Sequence, residues 1–454
     1  MRAYKTVIFI FSVIAMLALL CAFFPREGVE IAGISLEFPS IEDLLMPEEA
    51  AADEETPEQL VAKRLKAIRE AQKNDFLAYI ATDTARIHFP ADSIEYLDGF
   101  FEALDSARSE HMRILHYGDS QIEEDRISKV LRDSLQSRFG GGGPGLMPVR
   151  QKYYTLSCSE VSTREPRRYI VFGTGGMRSS NGRYGVMGQR GHIDSTITTT
   201  FYPVKSNNGP GKYFNRLTLL SSGGSIYVSC NGEKRRAEAS DSVRFIRFEL
   251  PDSTSRASLT VSGSHDIYGV MLDNDTGVSL DNMAMRGSTG AVFTSISREQ
   301  LEGFIDKENV KLIILQYGGN VVPYTNTPKS ISSYKQSIER QIRYLRELAP
   351  QAAILFIGPS DMSTNIQGKM QTYPHLPMIV DSLKDAALSS GAAFWDMYSS
   401  MGGQGSMHKW VTSQPALAGS DHVHFTPKGA EKMGGMLFEE LMLYYDYYKL
   451  RKDE

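Results

Sequence analysis

Apolar and polar positions along the chain fall into three textures. The first is an uninterrupted apolar run from Thr6 to Phe24, preceded by Arg2 and Lys5. Its length suits a bilayer crossing, and the flanking positive charges predict a cytoplasmic N-terminus with the rest of the chain outside. Leu19-Leu20-Cys21-Ala22-Phe23-Phe24 stays bulky to its end, without the small-x-small pattern of a cleaved signal peptide. An uncleaved signal anchor over residues 1–25 is the preferred reading. Cleavage, or lipidation of Cys21, is the alternative, and each of these exports the remainder.

The second texture consists of solid apolar runs alternating with helical patterns. Met112–Tyr117, Val310–Tyr317, Ala352–Ile357 and Ala392–Trp395 read as buried strands. Ile127–Phe139, Tyr334–Leu348, Leu376–Ser389 and Pro427–Tyr448 carry apolar positions at helical spacing. Strands without polar alternation, separated by helices, predict a parallel sheet covered on both faces. Two further helices are predicted ahead of it, from Pro57 through Ala71 and from Ile94 to Ala107.

The third texture, Gln151–Asn274, is rich in Ser, Thr, Gly, Tyr and Arg. Short β-like runs recur at Ser195–Phe201, Ser225–Ser229, Val243–Glu249, Ala257–Ser262 and Ile267–Leu272, with turn signals such as Asn207-Asn208-Gly209-Pro210 and Asn231-Gly232 between them. This block predicts a β-sandwich inserted into a discontinuous α/β domain. The expected organisation is an anchor (1–25), a tether and helical lead-in (26–108), a first α/β segment (109–150), the insertion (151–274) and a second α/β segment (275–454). Within the tether, Met46–Glu58 is acidic and apolar-poor, a solvated spacer.

Composition changes this picture little. The formal net charge of -5 over 454 residues comes with no basic stripe interleaved with aromatics, so no nucleic-acid partner is expected. Of the three cysteines, Cys21 lies in the anchor. Cys158 and Cys230 would face a compartment that permits a disulfide, and either a bridge or two buried thiols fits. No metal-binding spacing is present, and neither metal nor cofactor is expected.

The chemistry concentrates at two distant places. Gly118-Asp119-Ser120 ends a buried strand just before a helix, where a serine oxygen reaches the carboxyl edge of the sheet beside backbone N–H groups. Alone, the triplet also reads as a turn with Asp119 or Ser120 as an N-cap. Far downstream, Asp421-His422-Val423-His424 precedes the last helix. A carboxylate three residues before a histidine fixes its tautomer and stabilises the imidazolium formed when the ring takes a serine proton. Ser120 is therefore the candidate nucleophile, His424 the base and Asp421 its partner, with His422 as the alternative base. The oxyanion needs donors. The Ser120 N–H is one, Asn320 at the end of Gly318-Gly319-Asn320 a second, and a glycine N–H in Asn282–Gly290 a third.

These separated pieces, in this order, resemble the SGNH (GDSL-type) hydrolase superfamily over Arg113–Gly145 and Gly277–Leu441. The resemblance implies a three-layer, flavodoxin-like α/β fold. It implies Ser120, Asp421 and His424 as the catalytic triad, and Ser120, Gly287 and Asn320 as the oxyanion hole. Gly290 is the other registration of Gly287-x-x-Gly290. Family members often carry an acidic residue after the oxyanion asparagine, and here Val321 and Val322 follow. A narrower similarity, through Leu131–Gly145, the β-rich insertion and Asp421–Gly429, is to bacterial peptidoglycan O-acetylesterases. It implies a carbohydrate-binding-module-like insertion and removal of O-acetyl groups from muramic acid residues. The enzyme would sit in the cell envelope, anchored in the inner membrane with its catalytic domain in the periplasm. An O-acetyltransferase of the same superfamily and a non-catalytic envelope glycan-binding protein are the alternatives. In the insertion, Tyr153, Tyr154, Tyr169, Tyr184 and Tyr213 are either sugar-stacking rings or sandwich core and surface. Asp361 lines the site or caps a helix.

Overall fold

The computed structural model describes residues 3–25, 28–31, 34–36, 38–39, 57–81, 86–172 and 177–452. The expected acidic spacer lies outside these residues except for Pro57 and Glu58. The chain divides into two units, Met1–Gln72 and Lys73–Glu454. In the first, helix α1 (Ala3–Phe23) contains a 20-residue stretch, Tyr4–Phe23, of mean hydropathy 2.8 with none of it buried in protein. At 1.5 Å per residue, such a helix matches a hydrocarbon core about 30 Å thick. Helix α2 (Pro57–Ala81) runs longer than its sequence pattern and leads into the second unit.

The second unit opens with β1 (Ile87–His88), α3 (Asp98–Ser106), β2 (His111–Gly118) and α4 (Arg126–Phe139). The insertion follows. It consists of β3 (Gly145–Met147), β4 (Cys158–Ser162), β5 (Arg167–Ile170), β6 (Gln189–Ile193), β7 (Ile197–Pro203), β8 (Arg216–Gly223), β9 (Ile226–Cys230), β10 (Glu233–Ala237), β11 (Ser240–Glu249), β12 (Ala257–Ser262) and β13 (His265–Asp273). The α/β fold resumes with β14 (Gly277–Ala284), α5 (Arg298–Lys307), β15 (Val310–Gln316), α6 (Pro328–Leu348) and β16 (Ala353–Ile357). It ends with a hairpin, β17 (Ser363–Ile366) and β18 (Lys369–Thr372), then α7 (Leu376–Ser389), β19 (Ala393–Trp395) and α8 (Pro427–Lys452).

The hydrolase sheet has the order β14-β2-β15-β16-β19-β1, parallel throughout except for β1 at its edge. In chain order its parallel strands run 2-1-3-4-5, the flavodoxin-like arrangement whose switch point lies between the first and third strands, here β2 and β15. Alternation within each strand feeds two layers. Met112, Ile114, Leu312, Ile314, Leu355 and Ile357 pack against α3, α4 and α8. Tyr117, Ile313, Leu315, Ile354 and Phe356 face α5, α6, α7 and part of the insertion.

β14 does not read as a strand in the sequence because Ser279, Asp281 and Asn282 interrupt its apolar run. Each is satisfied in place: Ser279 by His111, Asp281 by Arg113, and Asn282 by donating to Ile122 O and Ser128 Oγ. Buried polar groups are tolerated when paired in this way.

The insertion is two antiparallel sheets, β11-β8-β13-β6-β5 with β3 also on β13, and β10-β9-β12-β7-β4. Their inner faces share one core that includes Leu217, Leu219, Phe248, Phe201, Val228 and Leu259. The second sheet alternates buried and half-buried positions, so its other face meets solvent. β8 and β13 are buried on both faces, and Leu220, Tyr268 and Met271 join the hydrolase core. Cys158 and Cys230 are buried free thiols on β4 and β9. Two strands separate them and the register sets Cys230 level with Ser162, four residues along β4 from Cys158, so their backbones are about 19 Å apart, too far for a bridge.

Arg113, fully buried on β2, clasps Asp281 of β14, Glu308 after α5 and Asp273 of β13. Asp273 is also held by Arg216 of β8. The glycine-rich run after α4 threads between the two parts. A Cβ on Gly141 would lie 2.5 Å from Val278 O, and one on Gly143 2.1 Å from Leu272 O, so only glycine lets the backbones approach.

Candidate active site

Ser120 sits at the carboxyl end of β2, at the switch point. The strand does not pass directly into a helix. Asp119–Asp125 form an intervening loop, Glu124 and Asp125 adopt positive φ (62° and 65°), and α4 begins only at Arg126. Neither Asp119 nor Ser120 caps that helix. Asp119 instead closes its own turn, its Oδ1 accepting the Gln121 N–H at 2.9 Å.

The structure joins Ser120 to the distant C-terminal loop. Ser120 Oγ is 2.8 Å from His424 Nε2, and His424 Nδ1 is 2.7 Å from Asp421 Oδ2. Asp421 Oδ1 accepts the backbone N–H groups of Val423 (3.0 Å) and His424 (3.1 Å). Burial works against the Asp421 carboxylate, but the hydrogen bonds from His424 and Val423 outweigh it and hold its pKa below the usual range. His422 points elsewhere. Its φ of 57° turns the ring onto His408, with centroids 5.5 Å apart and planes 7° from parallel.

Asn320, in the turn after β15, donates through Nδ2 to Asp119 Oδ2 and to Ser288 O, both at 3.0 Å. Both amide hydrogens are thus engaged in this state. Ser288 belongs to the turn after β14, closed by Ser288 N to Met285 O, and Met285 N in turn donates to Gly118 O. Gly287 lies on this turn at φ 78°, and its N–H has no partner among the described residues. Gly290 N–H is used by Ser288 Oγ, and a Cβ there would strike Tyr317 at 2.8 Å. Asp119 itself is buried, and burial is the main reason its pKa rises to about 6; its bond from Gln121 N–H, the His424 charge and the Asn320 amide act the other way.

Ser120, Asn320 and His424 line a cavity of about 220 Å³ with Met362 and Ser360, and Tyr324 stands at its wall 81% exposed. Asp361 is turned away and buried, accepting Met407 N–H at 2.8 Å at the start of a short helix, Ser406–Thr412. Of the tyrosines in the insertion, Tyr184 is core, Tyr169 has Arg190 over its ring at 4.4 Å, and Tyr153, Tyr154 and Tyr213 are exposed.

Two residues that no sequence signal marks fasten the loops together. Arg126 donates to Ser120 O at 3.1 Å, Glu123 O at 3.0 Å and Phe425 O at 3.0 Å. Gln121 Nε2 donates to Val423 O at 2.6 Å. Together they tie the serine loop to the histidine loop through main-chain carbonyls, which any residue type supplies.

A serine hydroxyl, an imidazole and a carboxylate hydrogen-bonded in series at a sheet switch point have the geometry of a serine acylhydrolase site. Residues 248–435 match the family model GDSL-like Lipase/Acylhydrolase, and the chain carries a GDSL-type domain of SGNH fold. The matched stretch holds Asn320, Asp421 and His424; Ser120 precedes it and joins them through the fold. No curated protein matches the sequence. Among solved structures, the chain is similar to a peptidoglycan O-acetylesterase (TM-score 0.64, 21% identity, 78% of this chain and 97% of that one). At that identity the likeness speaks for the fold. Two family two carbohydrate esterases also match, from Cellvibrio japonicus (TM-score 0.25, 12% identity, 64% of this chain and 99% of that one) and an active site mutant from Clostridium thermocellum (TM-score 0.26, 9% identity, 62% and 98%).

Proposed function

We propose that this chain is a serine esterase that removes O-acetyl groups from an envelope glycan, foremost peptidoglycan, through an acetyl-enzyme on Ser120. The observation that carries the reading is the unbroken Asp421–His424–Ser120 hydrogen-bond chain at an open cavity. His424 Nε2 takes the Ser120 proton as Oγ bonds to the acetyl carbon, and the imidazolium is held by Asp421. The oxyanion is met by the N–H groups of Ser120 and Gly287 and by Asn320, whose hydrogen facing Asp119 is drawn toward the incoming charge. Collapse expels the sugar oxygen, which takes the proton from His424. Water, deprotonated by His424, then attacks the acetyl carbon, and acetate leaves with Ser120 restored.

The His424 side chain is 32% exposed, so solvent reaches the position from which the acetyl-enzyme is attacked. In this reading Tyr4–Phe23 anchors the enzyme in the inner membrane, the catalytic domain lies on the periplasmic side, and the insertion helps to hold the glycan. The test is acetate release from O-acetylated peptidoglycan by the full chain in detergent, with Ser120→Ala beside it. Serine-dependent release is expected. Release that persists in folded Ser120→Ala refutes the assignment of the nucleophile.

A further inference from the structure

A second cavity, of about 320 Å³, opens between the insertion and the hydrolase domain. Part of its wall is Glu123–Asp125, on the loop that follows Ser120, together with Arg286, on the turn that carries Gly287. The insertion supplies Arg168 and Gln189, from the adjacent strands β5 and β6, and Lys152-Tyr153 from the loop between β3 and β4.

The cations of this cleft are not equally neutralised. Arg286 pairs with Glu123 at 2.9 Å and Arg150 with Glu160 at 2.9 Å. Arg168 has no carboxylate within ion-pair distance among the described residues. Its Nε and Nη2 both donate to one amide oxygen, Gln189 Oε1, at 2.8 and 2.7 Å. A guanidinium offers five N–H groups and stays charged at any working pH. Burial lowers the pKa of Arg168, the Tyr153 phenol acting in the other direction. A partly buried cation without a counter-charge is costly to the fold, and an arriving oxyanion offsets that cost through charge-assisted hydrogen bonds. Beside it, Tyr153 is 39% exposed, a ring that suits the apolar face of a sugar. The Lys152 ammonium lies 5.6 Å from the Tyr153 ring centroid.

We propose that this cleft is a subsite for a carboxylate-bearing saccharide, with Arg168 as the specificity-determining cation that receives the carboxylate. The inference rests on the esterase reading for its place beside the Ser120 loop, and it adds the substrate feature recognised there: an acidic sugar rather than a neutral one.

The test uses the full chain in detergent with Arg168→Gln and Arg168→Lys. Rates are measured on O-acetylated peptidoglycan strands freed of their stem peptides by an amidase, which leaves the muramic acid carboxylates free, on acetylated xylan as a neutral polymer, and on 4-nitrophenyl acetate. Arg168→Gln should raise KM for peptidoglycan about tenfold or more, with kcat, the xylan rate and the small-ester rate unchanged, and Arg168→Lys should recover part of the loss. An unchanged peptidoglycan KM, or an equal loss on xylan, overturns the inference. In parallel, Ser120→Ala is titrated with a disaccharide containing N-acetylmuramic acid and with neutral chitobiose. Carboxylate-dependent binding that weakens when Arg168→Gln is added supports the subsite even if peptidoglycan is never turned over, which would sink the esterase reading alone. Binding indifferent to the carboxylate or to Arg168 overturns the subsite.

Discussion

Replacing Asp421 separates two effects that usually travel together, because this carboxylate does two jobs with its two oxygens. Oδ2 faces His424 Nδ1 and Oδ1 accepts two backbone N–H groups. In Asp421→Asn the single remaining carbonyl oxygen is best placed on the two backbone donors, so the new NH₂ confronts Nδ1. His424 must then accept at Nδ1 and carry its proton on Nε2, the nitrogen that faces Ser120, and it ceases to be a base in that tautomer. Asp421→Ala removes the charge but leaves the imidazole free to choose. The charge alone is worth about 1 kcal/mol at 4 Å in water and about 4 kcal/mol at an effective dielectric of 20. With Asp421 50% and His424 32% exposed, the pair lies between these limits. Asp421→Ala should therefore lower kcat about ten- to a hundredfold, and Asp421→Asn about tenfold further. The assay is Ser120-dependent hydrolysis of 4-nitrophenyl acetate at pH 7 to 8. A larger loss in the alanine variant, or full activity in either, refutes the reasoning.

The remaining predictions concern stability. The Asp119 carboxyl is raised from 3.8 to about 6 chiefly by burial, so the native state binds its proton more tightly than the unfolded chain. The Asp119 contribution to stability should fall as pH rises through that window, by about 3 kcal/mol, and stay constant above it. Asp119→Asn should remove this slope, read as denaturation midpoints at pH 4 and pH 7.5; a variant that keeps the wild-type slope contradicts the assignment. Arg113→Met leaves Asp281, Glu308 and Asp273 buried, with Arg216 the remaining arginine in an ion pair with them among the described residues, which should cost about 3–5 kcal/mol. The same midpoints report it, and an unchanged value would show that the cluster contributes nothing net.

The parallel core was legible because β2, β15 and β16 are buried on both faces, and solid apolar runs have no other comfortable home. Leu376–Ser389 shows its full helix in the sequence for a different reason: one stripe is apolar and the ends are punctuated. The insertion was less legible. β10, Glu-Lys-Arg-Arg-Ala, is a charged and largely exposed edge strand, the composition that keeps edges from pairing with other chains. In the site, the sequence carries the side chains whose type is chemically required, Ser120, Asp421 and His424. Arg126 and Gln121 escape it because their partners are main-chain carbonyls, which leave no complementary residue to find. The occupation of both Asn320 hydrogens also escapes it, since Ser288 O is a backbone atom in a turn that only the fold brings near.

The insertion is built into the hydrolase rather than tethered to it. β3 pairs with β13 while its Leu146 N–H donates to Asp281 of β14, and Arg113 of β2 reaches Asp273 at the end of β13. Leu146, Leu220, Tyr268 and Met271 share one apolar core with Tyr117 and Leu315. Moving the insertion away would expose that core and pull Asp273 off Arg113, so hinge motion between the two parts is opposed by the same interactions that fold each of them. The separation of Arg168 from Ser120 is then set by packing, not by a linker. With the proposed subsite in place, a cleft of fixed span would register a glycan strand, holding a carboxylate at one place while an acetyl group a set distance along the chain meets the serine. A flexible module would raise the local concentration of glycan without choosing which acetyl group is presented.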